Sequence, residues 1–177
     1  MDYKFVNKIQ VYSYLNHFLG LQIRQQNSNI FLSQSKYAKN LVKWFGLESA
    51  NFVRTPMSPN VKLAVDLLGK SVDFSLYRSM IGSLLYLTAS KTDISYSVSM
   101  CARYQANPKE SHMTALKRII KYVETTAKFG VWYNKDTNDV LAGYSDADCA
   151  GNVGDRKSIL GGCFYMGNNL VSWMSKK

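Results

Sequence analysis

The sequence predicts an α+β protein: a β-hairpin, then a helical stretch, then antiparallel strands. Three observations carry this. Apolar residues first flank a polar cluster, then recur every three to four positions, and finally alternate in runs separated by turn residues. With 177 residues and 46% hydrophobic content, the chain is long enough to bury a core, either as one domain or as two small ones.

Each element has its own local signal. Residues 17–33, HFLGLQIRQQNSNIFLS, place two apolar-rich runs around Gln25, Gln26, Asn27, Ser28 and Asn29, which predicts a hairpin. In SQSKYAKNLVKWFG the period changes: Tyr37, Leu41, Trp44 and Phe45 form a helical stripe, and Gly46 supplies a C-terminal stop. Residues 51–72 hold Pro56 and Pro59 with little periodicity and read as a linker. Asp73 is the expected N-cap of a helix carrying Tyr77, Ile81, Leu84, Leu85 and Thr88. A second helix is expected from about Thr92, with Ile94, Val98 and Cys101 on one side. For a third, Asn107 is read as N-cap, Pro108 as first helical residue and Glu110 as the capping-box partner, ahead of Met113, Leu116, Ile120 and Val123. After Gly130 the period falls to two. VWYN and VLAGYS around KDTND predict one hairpin; GGCFYMG and LVSWMS around Asn168 and Asn169 predict another.

Composition narrows the function classes. No apolar run approaches the roughly 18 residues of a membrane span, and the N-terminal stretch lacks the apolar centre of a secretory signal. An intracellular protein of the cytoplasm or nucleus, with no membrane partner, is the expectation. Cys101, Cys149 and Cys163 show no CxxC spacing, so they read as structural thiols and not as a zinc site.

Charge is unevenly spread. Residues 1–135 carry 18 Lys and Arg against 7 Asp and Glu, a net of +11, whereas residues 136–177 carry 4 against 5, a net of −1. The basic part suits a polyanion. Lys36, Lys39 and Lys43 fall together on one face of the first helix, and Lys117, Arg118 and Lys121 lie off the apolar stripe of the last. These six are the candidate nucleic-acid contacts; a solvated basic face is the plainer alternative. In the acidic tail, YSDADCAGN places Asp146 at or just past a strand end, with Asp148 two residues on. A carboxylate there can hold magnesium in a nuclease, although such pairs also serve turns.

The strings FLGLQI at 18–23, LSQSKYA at 32–38, TPM at 55–57, YRSMIGSLLYLTASKTDI at 77–94, KRIIKYV at 117–123, YSDADCAGN at 144–152, DRKS at 155–158 and LVSWMSKK at 170–177 form an ordered set. In order and spacing the set resembles copia-type LTR-retrotransposon Pol polyproteins. The resemblance implies that residues 1–135 form the C-terminal segment of a reverse transcriptase, with its palm end and thumb- or connection-like helices. Residues 136–177 would then be the truncated start of an RNase H-like domain, an incomplete sheet with an open edge and an uncovered face. It gives the basic helix faces a role in holding an RNA–DNA hybrid, or other nucleic acid, by its phosphates without reading sequence. Asp146 becomes a remnant of the RNase H metal ligands, and Asp148 has at most a supporting role. The parent enzyme uses Mg2+.

Departures from the family pattern limit what the resemblance implies. The chain contains no Asp-Asp pair for a polymerase motif and one of four expected nuclease acids, and Ile159 and Leu160 follow DRKS where small hydroxyl residues are usual. The expectation is a fragment that is catalytically silent by itself and needs no cofactor. Two alternatives stand beside it: one segment of an active polyprotein with RNA-directed DNA polymerase and RNase H activity, or a captured fragment acting as a binding or effector-like protein.

Overall fold

The computed structural model describes residues 17–26, 28–48, 53–58, 63–148 and 159–176. Cys149, the turn at Gly151 and Asn152, and DRKS lie outside these residues. Among the described residues, seven strands and four α-helices follow in the order β1 (His17–Phe18), β2 (Leu21–Gln25), β3 (Asn29–Ser33), α1 (Ser35–Trp44), α2 (Phe74–Leu87), α3 (Ser95–Ala102), α4 (Glu110–Thr125), β4 (Gly130–Asn134), β5 (Leu141–Asp148), β6 (Ile159–Met166) and β7 (Asn169–Lys176). A 3-10 turn, Thr92–Ile94, leads into α3. The α+β expectation holds: one antiparallel sheet has order β1-β2-β3-β4, another β5-β6-β7, and the helices lie between β3 and β4 in sequence.

The first hairpin forms, but its leading run is itself folded. Leu19 and Gly20, with φ of 48° and 75°, turn the chain between β1 and β2. A leucine in the left-handed region is not a turn signal, so sequence alone merges the two strands. The Tyr86 hydroxyl donates to the Leu19 carbonyl and holds this turn against α2.

Helix α1 ends as expected, with Gly46 at φ 65° just past its last turn. Its buried face is Ala38, Leu41 and Val42, while Trp44 of the predicted stripe is 62% exposed. Asp73 caps α2 as expected, accepting from the amides of Ser75 at 2.7 Å and Leu76 at 3.3 Å. The core is formed by Tyr77, Met80, Ile81, Leu84 and Leu87 of α2 against Val98 and Cys101 of α3 and Leu116, Ile119, Ile120 and Val123 of α4. Leu85, placed in the stripe by spacing, points outward at 47% exposed.

Helix α4 starts two residues later than its sequence signal. Residues 70–72 pair with the approach to the helix instead: Val72 donates to the Pro108 carbonyl at 3.2 Å, Glu110 donates to the Lys70 carbonyl at 3.0 Å, and Ser71 and Lys109 form a bridge. Lys109 becomes the cap, and its amide donates to His112 Nδ1 at 3.1 Å. His112 Nε2 lies 2.9 Å from the Ala64 carbonyl, so the neutral tautomer protonated at Nε2 satisfies both contacts. Residues 63–72 of the predicted linker are thus tied down, with Leu63 in the core.

The predicted hairpin of VWYN with VLAGYS does not form. β4 pairs with β3 in the first sheet, Phe31 opposite Trp132, and β5 pairs with β6 in the second. Alternation shows that a segment is a strand but not which strand it joins, and β3 offers β4 an open edge once α4 returns the chain. In the last hairpin the turn is Gly167 and Asn168, one residue earlier than expected, because Met166 pairs with Asn169. Gly167, at φ 56°, takes the left-handed position that this turn needs.

The Asn169 side-chain amide joins the two sheets, accepting from the Asn134 amide at 2.7 Å and donating to its carbonyl at 2.8 Å. The Trp173 indole donates to the Thr88 carbonyl at 2.9 Å, and the Ser99 hydroxyl to the Ser175 carbonyl at 3.1 Å. β7 therefore leans on the helices, while among the described residues nothing pairs with the outer edge of β5, and Leu141, Phe164, Met166 and Met174 are exposed.

Candidate nucleic-acid interface

Helix α1 begins beside the first sheet, and this sets the position of its lysines. Its first turn has no side-chain cap from Gln34; instead the Lys36 amide donates to Oε1 of Gln22 on β2 at 3.0 Å. Gln34 is turned inward, accepting from the Ser90 hydroxyl at 2.8 Å. Lys36, Lys39 and Lys43 are exposed, and their spacing places them on one side of the helix.

The structure brings Lys36 and Lys39 together with two cations that sequence reasoning missed. Arg24 of β2 and Lys128, just past α4, line the same cleft of about 330 Å³, with Gln22, Ser33 and Ser35 supplying its polar walls. No carboxylate lines it, and none of the four cations forms an ion pair with a described carboxylate. Among the described residues, opposed charge is therefore absent where these four cations converge. For Arg24, alternation along β2 was the available signal, since it shares a face with Gln22. For Lys128 there was none, because its position depends on how α4 packs on α1.

Lys43 continues the α1 stripe outside this cleft. The α4 residues do not join it. Arg118 and Lys121 line a second cleft with Val53, Met57 and Leu63. Arg118 already has partners there, donating to the Thr55 carbonyl at 3.2 Å and hydroxyl at 3.0 Å, so its guanidinium anchors the TPM segment. Lys117 is exposed and lines neither cleft.

Asp146 lies within β5, not at its end, because β6 continues the ladder opposite it, Asp146 to Gly161 and Asp148 to Ile159. It is exposed. Among the described residues no three of His, Cys, Asp and Glu gather in one place. Magnesium is held by several oxygen ligands, and among the described residues Asp146 is not part of such a group.

Sequence reasoning also missed a buried polar cluster that includes Lys91 and Asp93 of the SKTDI segment. Lys91 is buried, its Nζ 2.7 Å from the Thr126 carbonyl and 4.0 Å from Asp93 Oδ2, over the Phe129 ring. The Tyr122 hydroxyl donates to the same Asp93 oxygen at 2.7 Å. Burial lowers the Lys91 ammonium below its ordinary value, against the pull of Asp93, and burial pushes the Tyr122 phenol up to about 12. The cluster ties the turn before α3 to the end of α4.

Fold and surface together define an α+β protein with a basic cleft between its first sheet and first helix. No family model matches the chain, and no solved structure matches it. It is 37% identical over 163 residues, 92% of its length, to the retrovirus-related Pol polyprotein from transposon RE1 of Arabidopsis thaliana, of which it spans 11%. It is 33% identical over 163 residues to an uncharacterized mitochondrial protein of the same plant, covering 68% of that protein. A secreted RxLR effector protein of Plasmopara viticola is 35% identical over 102 residues, which cover 57% of this chain and 72% of the effector. The chain belongs to the family of retrovirus-related Pol polyproteins of transposons. It corresponds to about a tenth of the length of such a polyprotein.

Proposed function

We propose that this chain is the part of a copia-type Pol polyprotein that spans the end of the reverse transcriptase and the first strands of an RNase H-like sheet. Its role is to hold nucleic acid by the backbone. The observation that carries this reading is the convergence of Arg24, Lys36, Lys39 and Lys128 without a carboxylate. Cations that form no ion pair with a described carboxylate attract phosphates and release counterions when they bind them. Lys43, Lys117 and Lys121 extend the basic surface, and Arg118 contributes mainly by anchoring Thr55. By itself the chain catalyses neither polymer synthesis nor hybrid cleavage: it has no Asp-Asp pair, and Asp146 is a remnant of a metal site.

The test is binding of the full chain to a labelled RNA–DNA hybrid across a salt series. Sequence-independent binding whose log affinity falls linearly with log salt is expected, and no binding at low salt refutes the reading. A second reading is favoured by the 11% span of the RE1 polyprotein: the chain is one segment of a longer active polyprotein. An open frame on both sides supplying the missing acids supports it, and stop codons there remove it.

A further inference from the structure

Beside the basic cleft lies a feature that holding a duplex does not use. Arg24, Phe31 and Trp132 stand opposite one another on β2, β3 and β4, so they form one row on one face of the sheet. The Phe31 and Trp132 rings are 4.7 Å apart between centroids and tilted by 36°. Phe31 lines the cleft, and Trp132 is 53% exposed. The neighbouring row is Gln22, Ser33 and Gly130. Its small residues leave the space in which Lys36, Lys39 and Lys128 approach from the side.

An aromatic row on a sheet, edged by cations, has a specific physical use. In a duplex the base faces are stacked on each other and only edges and phosphates reach a protein. An unpaired strand can lay a base flat on an aromatic ring while its phosphates meet the cations. We propose that this sheet face binds single-stranded nucleic acid, with bases stacked on Trp132 and Phe31 and the phosphate backbone on Arg24, Lys36, Lys39 and Lys128. Every base has a π-face, so the binding is indifferent to sequence. The inference rests on the nucleic-acid reading above and adds the form of the ligand.

The experiment compares oligouridine and a short RNA–DNA hybrid, each titrated into the full chain and into Trp132→Ala, Trp132→Phe and the double variant Arg24→Ala/Lys128→Ala. Trp132→Ala is expected to weaken oligouridine binding about tenfold and to leave the hybrid within about twofold. Trp132→Phe, which keeps a ring, should restore most of the loss. The double variant should reduce the oligouridine salt slope by about 1.4, at roughly 0.7 for each phosphate contact on a single strand. Oligouridine should also quench the tryptophan fluorescence of the unaltered chain, and that quench should shrink in Trp132→Phe. Equal loss on both ligands, or no loss on either, overturns the stacking platform. Hybrid binding without any oligouridine binding overturns it too and leaves the duplex reading standing. If neither ligand binds at low salt, both fall together.

Discussion

Replacing Lys91 with methionine tests whether the buried ammonium holds the helical part together or is merely tolerated there. Lys91→Met keeps much of the side-chain volume and removes the charge. Three effects compete. The hydrogen bond from the ammonium to the Thr126 carbonyl is lost, and bonds to charged groups contribute about 1.5–3 kcal/mol. Asp93 loses a cation at 4.0 Å, but its side chain is 34% exposed, so solvent holds that loss to about 1 kcal/mol or less. Against these, the variant no longer desolvates an ammonium, the cost that lowers the Lys91 pKa. The Thr126 carbonyl keeps the Phe129 amide as a donor at 2.9 Å, so the lost charge-assisted bond and not an orphaned acceptor decides the sign, and a net destabilisation of about 2 kcal/mol is expected. For a chain of this size that is a drop of about 4–8 °C in Tm. Urea unfolding followed by circular dichroism measures it. A Lys91→Met variant within about 0.5 kcal/mol of the unaltered chain would refute the argument. Adding Tyr122→Phe extends the test: both residues act on Asp93, so the double loss should differ from the sum of the single losses by at least about 0.5 kcal/mol.

Other outcomes follow from the same geometry. Burial raises the Cys101 thiol to about 12 from 9.0 and the Tyr122 phenol to about 12 from 10.0. The native state holds these protons more tightly than the unfolded chain, so their contribution is complete below the unfolded values. It declines as pH rises from 9.0 towards about 12. Urea midpoints should therefore fall above pH 9, and Cys101→Ala should delay that fall towards the tyrosine range; a midpoint flat across this window contradicts the assignment. At Gly130 an added Cβ would run into the Leu32 carbonyl and lie 2.9 Å from the Ser33 Cβ. Gly130→Ala is expected to cost about 1–3 kcal/mol in urea unfolding, and a neutral result would mean that β4 does not lie this close to β3. Hydrogen exchange should be slowest in β7 and β6 and fastest in β5, whose outer edge is open. Uniform exchange across the three strands would show that the anchors at Thr88 and Ser99 confer no protection on β7.

Much of the helical part was legible because its causes are local. Asp73 caps α2 with amides two and three residues away, Gly46 ends α1 through its own backbone, and the buried stripe of α4 repeats at the helical period. The ordered motifs carried the family for the same reason, since they are read along the chain. Where periodicity misled, packing was the cause. Trp44 and Leu85 fit their stripes by spacing, yet α1 and α2 turn Val42 and Leu87 inward instead. Residues 70–72 took the backbone groups that a start at Asn107 would have needed.

The sequence by itself determined the class, the order of elements, the family and the basic character of the first part, all of which follow from near neighbours, composition or motif order. Tertiary structure decided which strand β4 joins, that Arg118 is occupied by Thr55, and that Arg24 and Lys128 meet Lys36 and Lys39 beside an exposed aromatic row. Strand pairing and charge convergence depend on distances between residues far apart in the chain, and those distances exist only once α4 has packed and returned the chain to β3.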